Sequence, residues 1–98
     1  MLTSKKILEL IQKNHNEIKK YGVKKIGLFG SYLKNQQKRN SDIDILIEFY
    51  KGKKTFDNYM DLKFFLEDLF HCDVDLVIKE SLHIELKSNI LRSVQYAT

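Results

Sequence analysis

The stretch DIDILIEFY, from Asp42 to Tyr50, constrains the fold more than any other part of the chain. It is rich in β-branched and aromatic residues and begins with strict alternation of Asp and Ile, which predicts a β-strand. Alternation directs Ile43, Ile45 and Ile47 to one face and the two aspartates to the other, about 7 Å apart along the strand. We expect the isoleucine face to be the core, so the carboxylates should lie on an open or concave surface.

The remaining sequence predicts three helices and two further strands. Thr3 or Ser4 can cap the first helix, and Gly22 is suited to the left-handed conformation that ends it. A helical turn or two is expected over residues 31–37. The predicted helices cover residues 4–20, 56–70 and 82–95, and the predicted strands cover Val23–Phe29 and Val74–Ile78.

Each predicted helix carries an apolar stripe with helical spacing, which indicates that it packs against the sheet. The order α-β-β-α-β-α therefore predicts a small α/β fold of the α+β type, with a sheet of about three strands. Without proline, low-complexity segments or linkers, residues 1–98 are expected to form a single domain. The inward-facing residues are predicted to be Ile7, Leu8, Ile11, His15 and Ile18; Leu62, Phe65, Leu66 and Leu69; and Leu86, Ile90, Leu91 and Val94.

Charge and cysteine content exclude several classes of protein. The net charge of +4 is modest, and no element combines a basic stripe with interleaved aromatics, so nucleic acid is not expected as a partner. Cys72 is the only cysteine, which rules out an intramolecular disulfide and a multi-cysteine metal site. No apolar run approaches the roughly 20 residues of a membrane span, so a cytoplasmic protein without membrane association is expected.

The dipeptide Gly30-Ser31 lies where the first strand ends and a helical turn begins. Backbone N–H groups at such a junction are available to an anion, and Gly allows a phosphate to approach closely. The Ser31 hydroxyl adds a further donor. Gly-Ser alone is weak support, because many turns contain it.

Two pairs of aspartates carry the candidate chemistry. Asp42 and Asp44 share one face of their strand, where they repel each other unless a cation such as Mg²⁺ intervenes. The alternative is that both merely face solvent at the strand's end. Asp73 and Asp75 form a second pair, and if the two strands are neighbours one of them completes a three-carboxylate cluster able to hold two divalent ions. Otherwise, Asp73 lies in the turn and Asp75 pairs with a lysine.

The spacing Gly-Ser-x10-Asp-x-Asp links the phosphate and carboxylate features. Four fixed residues at about 6% usage each occur by chance about once in 10⁵ starting points. The predicted context, a strand followed by Gly-Ser, a turn and a strand led by Asp-x-Asp, makes a chance match rarer still. The two features are therefore interpreted as one site.

The segment GLFGSYLKNQQKRNSDIDILIEF resembles the signature of the DNA polymerase beta-type nucleotidyltransferase superfamily. With the later CDVDLVIKESL, the short chain is similar to the minimal nucleotidyltransferases that act as antitoxins in bacteria and archaea. The resemblance covers about residues 20–95. It implies a small mixed sheet with helices packed against it, two Mg²⁺ ions per site, and ATP as substrate.

The resemblance also implies roles for individual residues. Gly30 and Ser31 would hold the triphosphate, with Lys34 retaining the positive charge where relatives often have Arg. Asp42 and Asp44 would bind both metal ions. Asp75 would be the third carboxylate and help activate the acceptor hydroxyl, with Asp73 as the alternative.

The function implied by the resemblance is transfer of AMP from ATP to a tyrosine of a cognate HEPN-type toxin, an all-helical ribonuclease that the transfer silences. The 23 residues after Asp75 leave no room for a large acceptor site, so the acceptor is expected to come from another protein. Two alternatives stay open: an antitoxin that acts only by steric binding, and the catalytic subunit of a small-molecule nucleotidyltransferase of aminoglycoside type. Homo-oligomers and hetero-oligomers with the toxin are both left open.

Overall fold

A computed structural model describes residues 2–30, 32 and 42–97 of the chain. Its elements are α1 (Ser4–Lys13), α2 (His15–Lys19), β1 (Val23–Phe29), β2 (Ile43–Phe49), α3 (Phe56–Phe70), β3 (Val74–Ile78), a 3₁₀ turn (Lys79–Ser81), α4 (Ile84–Ser93) and β4 (Gln95–Tyr96). None of the helices in these ranges is long and apolar enough to cross a membrane. The helical turn expected over residues 31–37 lies outside the described residues, apart from Tyr32.

The strands form one mixed sheet in the order β3-β2-β1-β4. β1 runs antiparallel to both β2 and β4, while β3 runs parallel to β2. A parallel pair needs a crossover connection, and α3 provides it between β2 and β3. The α+β architecture with a mixed sheet is thus confirmed, but the expected count of about three strands is corrected to four. The two-residue strand β4 is too short for a sequence pattern to reveal.

The hydrophobic core lies between one face of the sheet and the helices α1, α2 and α3. Ile43, Ile45 and Ile47 of β2 are at most 1% exposed, which confirms that the isoleucine face is the buried one. The aspartates that alternate with them consequently lie on the opposite face. The other members of the buried cluster include Ile7, Ile11, Ile18, Ile26, Leu28, Leu62, Leu66, Phe70, Val74 and Leu76.

Two of the predicted helices differ from expectation, the first by an interruption and the last by its length. The first is interrupted at Asn14, whose side-chain amide donates to the backbone oxygen of Leu10 at 2.8 Å, so that α1 and α2 replace one continuous helix. Such local side-chain bonds compete with regular helix geometry. The predicted caps are confirmed, since Thr3 accepts from the N–H of Lys6 and Gly22 has φ +80°.

The last helix is shorter than predicted and has no buried residue. It ends at Ser93, because the chain turns to extended backbone at Val94 and adds β4 to the sheet. The expected inward position of Leu86 is wrong, since its side chain is 54% exposed, whereas Ile90 and Leu91 are half-buried. Helical periodicity identified the apolar residues but not how closely the sheet approaches them.

Glycine is required at residue 27 because the chain after α4 packs closely against β1 there. A Cβ at this position would lie 2.8 Å from Val94 Cγ2 and 3.0 Å from the backbone oxygen of Gln95. We expect Gly27→Ala to lower the free energy of unfolding by about 1–3 kcal/mol, because an added methyl in a filled space forces backbone shifts. Urea denaturation measures this change. Lys24→Ala, at an exposed position of the same strand, serves as control, and equal stability of the two variants would contradict the assignment.

Candidate active site

The site is built where the ends of three strands meet on the face opposite the helical core. Phe29, the last residue of β1, is paired with Asp44 of β2, and Asp44 is paired with Asp75 of β3. Paired residues on neighbouring strands direct their side chains to the same face, with the strands about 4.8 Å apart. The carboxylates of Asp44 and Asp75 therefore lie side by side at one end of the sheet.

The parallel register distinguishes the two aspartates of the second pair. Asp75 lies within β3 and is exposed, whereas Asp73 precedes the strand. The backbone oxygen of Asp73 accepts from the N–H of Ile43 at 3.0 Å, which fixes the start of β3 against β2. Asp42 is also exposed and directly precedes β2. Within residues 2–30, 32 and 42–97, no three His, Cys, Asp or Glu side chains are gathered closely enough to form a metal-holding group.

Gly30 brings the end of β1 into direct contact with the Asp44 carboxylate. Its φ is +77°, and a Cβ built there would overlap Asp44 Oδ2 and lie 2.8 Å from Asp44 Cγ. Both the backbone conformation and the missing side chain therefore require glycine at this position. Asp44 itself is half-buried and engaged in further interactions, so its orientation is constrained. Ser31 and Lys34, the other predicted nucleotide contacts, lie outside the described residues.

Acidic character on this face is confined to its end. Two positions along β2 from Asp44, Leu46 is 1% exposed, and Glu48 follows on the same face. Glu48 forms an ion pair with Lys79 at 3.8 Å, and both side chains are mostly buried. Its charge is therefore already balanced. Among the described residues, the carboxylates at the other end of these strands are Asp42, Asp44, Asp73 and Asp75, of which Asp44 and Asp75 are paired in register.

Tyr32 contributes a structural anchor that the sequence did not single out. Its side chain is only 5% exposed and belongs to the hydrophobic core, although it follows Gly30-Ser31 directly. Burial raises the pKa of the Tyr32 phenol, and the neighbouring Cys72 thiol adds to the effect. The residue after the Gly-Ser pair is thus fixed beside the turn that leads into β3. The large aromatic residue directly after Gly-Ser was the feature of the sequence that could have indicated a buried anchor.

Carboxylate oxygens are hard ligands of the kind that Mg²⁺ prefers. The in-register Asp44 and Asp75 repel each other as like charges. Gly30 lies directly against one of them, because the Asp44 carboxylate occupies the space where a side chain at residue 30 would lie. The oxygen donors of Asp44 and Asp75 therefore fit the chemistry of a divalent cation.

Comparison with known proteins agrees with this geometry. The sequence matches the nucleotidyltransferase domain family over residues 5–97, and the chain belongs to that family. It is 36% identical to the protein adenylyltransferase MntA of Thermococcus cleftensis, over 98% of this chain and 97% of that protein. It is also 45% identical to a candidate protein adenylyltransferase of Methanocaldococcus jannaschii, over 80% of this chain and 91% of that one.

Solved structures share the fold. A candidate minimal nucleotidyltransferase superposes with a TM-score of 0.75 at 27% identity, covering 90% of this chain and 93% of that one. A toxin–antitoxin complex crystallised with AMP-PNP gives a TM-score of 0.70 at 29% identity, covering 99% of this chain and 73% of that one. The protein is thus a nucleotidyltransferase of the minimal kind, as the sequence signature implied.

Proposed function

We propose that this protein transfers AMP from ATP to a tyrosine hydroxyl of a HEPN-type toxin and thereby acts as its antitoxin. The observation that carries the proposal is the pairing of Asp44 with Asp75 on neighbouring strands, with Gly30 directly against the Asp44 carboxylate. The similarity to a named protein adenylyltransferase supports a protein as acceptor, and the similarity to a toxin–antitoxin complex crystallised with AMP-PNP supports an adenine nucleotide as donor. We further propose that residues 1–98 act as one domain.

The nucleotide would be held by Gly30, Ser31 and Lys34. Glycine at residue 30 lets the triphosphate approach the backbone closely, while Ser31 contributes a hydroxyl donor and Lys34 a positive charge. The α-phosphorus would then lie over the end of the sheet that carries the aspartates. Orientation of this kind accounts for much of the rate in phosphoryl transfer, where positioning and charge stabilisation dominate.

Two Mg²⁺ ions would be held by Asp42 and Asp44, with Asp75 as a ligand of one of them. When bound, such ions stabilise charge on the attacking and leaving oxygens. Asp75, whose side chain is exposed, would orient the acceptor hydroxyl and accept its proton. The hydroxyl oxygen forms the new bond to the α-phosphorus as the bond to the β-phosphate bridging oxygen breaks, and pyrophosphate leaves.

Intact-mass spectrometry of a co-expressed partner tests the proposal. A cognate HEPN-type protein, co-expressed from the neighbouring reading frame if that frame encodes one, is expected to gain one or more AMP units with the wild-type chain and none with Asp42→Asn/Asp44→Asn. The double variant Asp61→Asn/Asp68→Asn is the matched control, because it removes the same charge from two exposed positions of α3.

Three outcomes of this experiment would overturn the proposal. Equal AMP transfer by the Asp42→Asn/Asp44→Asn variant would exclude the carboxylates from the reaction. A stable complex whose partner keeps its unmodified mass would favour steric inhibition. If neither a complex nor a mass change is found, a small-molecule acceptor becomes the better hypothesis.

A further inference from the structure

The strand that carries Asp75 is held by its sheet on one side only. β3 has five residues and stands at the edge of the sheet in the order β3-β2-β1-β4. Its backbone pairs with β2 from Ile43↔Val74 to Ile47↔Ile78. Edge strands present unpaired backbone groups and are free to shift unless something covers them. The position of Asp75 therefore depends on what holds the outer edge.

Two side chains of α3 bond to that outer edge. Along a strand, successive residues direct their backbone groups to opposite sides, and the bond from Ile43 N–H to the Asp73 oxygen shows that residue 73 faces β2. The backbone N–H and C=O groups of Val74 and Leu76 therefore point away from β2, toward the outer edge of the sheet. The Val74 N–H donates to Glu67 Oε2 at 3.1 Å, and the Tyr59 hydroxyl donates to the Leu76 oxygen at 2.6 Å.

These bonds fall on the two residues that flank Asp75. Glu67 fixes the backbone one position before it and Tyr59 fixes the backbone one position after it. Both donating and accepting groups are partly buried, so water competes with them less than at an open edge. The bonds from Tyr59 and Glu67 thus hold the segment of β3 that carries Asp75.

Beyond Leu76 the helix and the strand separate around an apolar groove of about 480 Å³, lined in part by Phe56, Tyr59 and Ile78. Close packing of α3 against β3 therefore does not extend along the whole strand. Tyr59 is one of the residues that line this groove, and its hydroxyl bond to the Leu76 oxygen links the helix to the strand beside it.

We propose that Tyr59 and Glu67 are positioning residues that clamp the outer edge of β3 and so hold the Asp75 carboxylate in register with Asp44. This inference rests on the proposed function, in which Asp75 orients the acceptor hydroxyl. Neither residue touches the substrates. Because Gly30, Asp42 and Asp44 do not depend on the clamp, nucleotide binding should be separable from it.

The first test removes the Tyr59 hydroxyl. Tyr59→Phe is expected to lower kcat for AMP transfer about fivefold and to raise the Mg²⁺ concentration at half-maximal rate, with KM for ATP unchanged. Amide hydrogen exchange at Asp75 should become faster. Tyr21→Phe is the matched control, because the Tyr21 ring packs against that of Phe65 in α3, with centroids 5.9 Å apart and the rings tilted by 44°, and no bond from Tyr21 to β3 is found within the described part of the chain.

The second test separates the hydrogen bond of Glu67 from its charge. Glu67→Gln keeps an oxygen that accepts from the Val74 N–H and is expected to retain near wild-type kcat. Glu67→Leu removes the acceptor and should reproduce the Tyr59→Phe phenotype. A purely structural role would lower activity in proportion to the folded fraction, without moving the Mg²⁺ midpoint.

The outcomes distinguish this inference from the proposed function. If wild type transfers AMP but Tyr59→Phe matches Tyr21→Phe in kcat and Mg²⁺ midpoint, the clamp is wrong and the proposed function stands. If wild type transfers no AMP, the proposed function fails, and hydrogen exchange still tests the clamp. An unchanged rate of amide hydrogen exchange at Asp75 in both Tyr59→Phe and Glu67→Leu would overturn the proposal that these residues clamp β3.

Discussion

Gly30→Ala is expected to reduce AMP transfer by about 100-fold or more. The alanine Cβ would occupy the space of the Asp44 carboxylate, so either Asp44 or the end of β1 must move. A displacement of about 1 Å at a reacting centre can cost about 10²-fold in rate. The free energy of unfolding should also fall, by about 1–2 kcal/mol, since a non-glycine residue is strained at φ +77°.

Gly52→Ala separates the two effects of that substitution. Gly52 has φ +79°, close to that of Gly30, but a Cβ there would meet nothing within 4 Å. Gly52→Ala should therefore show the stability cost of the positive φ alone and Gly30→Ala at least that cost in thermal or urea denaturation, while only Gly30→Ala loses activity in a radiolabelled ATP transfer assay. A folded Gly30→Ala protein with wild-type kcat would show that the contact with Asp44 has no role in the reaction.

The second large effect is expected from neutralising the paired carboxylates one at a time. Asp44→Asn should lower kcat by about 10³-fold, because in the proposed two-metal site a ligand position would contribute several kcal/mol of charge stabilisation. Asp75→Asn should cause a loss of at least 10²-fold, on the order of a general base's contribution. Asp73→Asn should remain within a few-fold of wild type, because Asp73 precedes β3 and is not paired with Asp44.

The Asp75→Asn substitution that lowers activity is expected to raise stability. Without divalent ions, Asp75→Asn is expected to raise the free energy of unfolding by about 0.2–1 kcal/mol, since it removes repulsion between like charges at paired positions. Denaturation with and without Mg²⁺ measures this difference, and Asp61→Asn on the exposed face of α3 is the control. If Asp73→Asn is the variant that loses activity, the third carboxylate is Asp73 and the register argument is wrong.

Much of the fold followed from local patterns in the sequence. The alternation in Asp42–Tyr50 predicted β2 and its buried face, because period two in side-chain direction is a property of any extended strand. Thr3 as a helix cap and Gly22 as a left-handed terminus were likewise local features. The strand β4 was missed, since two residues pair there only because α4 returns the chain to β1.

The sequence by itself determined the residue types of the candidate site and their spacing along the chain. Gly-Ser-x10-Asp-x-Asp gave the Gly-Ser pair and two carboxylates on one face of a strand, and Asp73 and Asp75 were the two alternatives for the third carboxylate. Within each aspartate pair the residues lie two positions apart, where backbone geometry alone relates the side chains.

Only the tertiary structure decided which distant residues meet. The parallel register of β2 and β3 pairs Asp44 with Asp75, and a shift by one residue would have put the Asp75 side chain on the buried face. The contact of Gly30 with Asp44 and the bonds from Tyr59 and Glu67 to β3 likewise join residues of different elements. Such contacts depend on how strands and helices pack, and no periodicity within one element specifies its register against another.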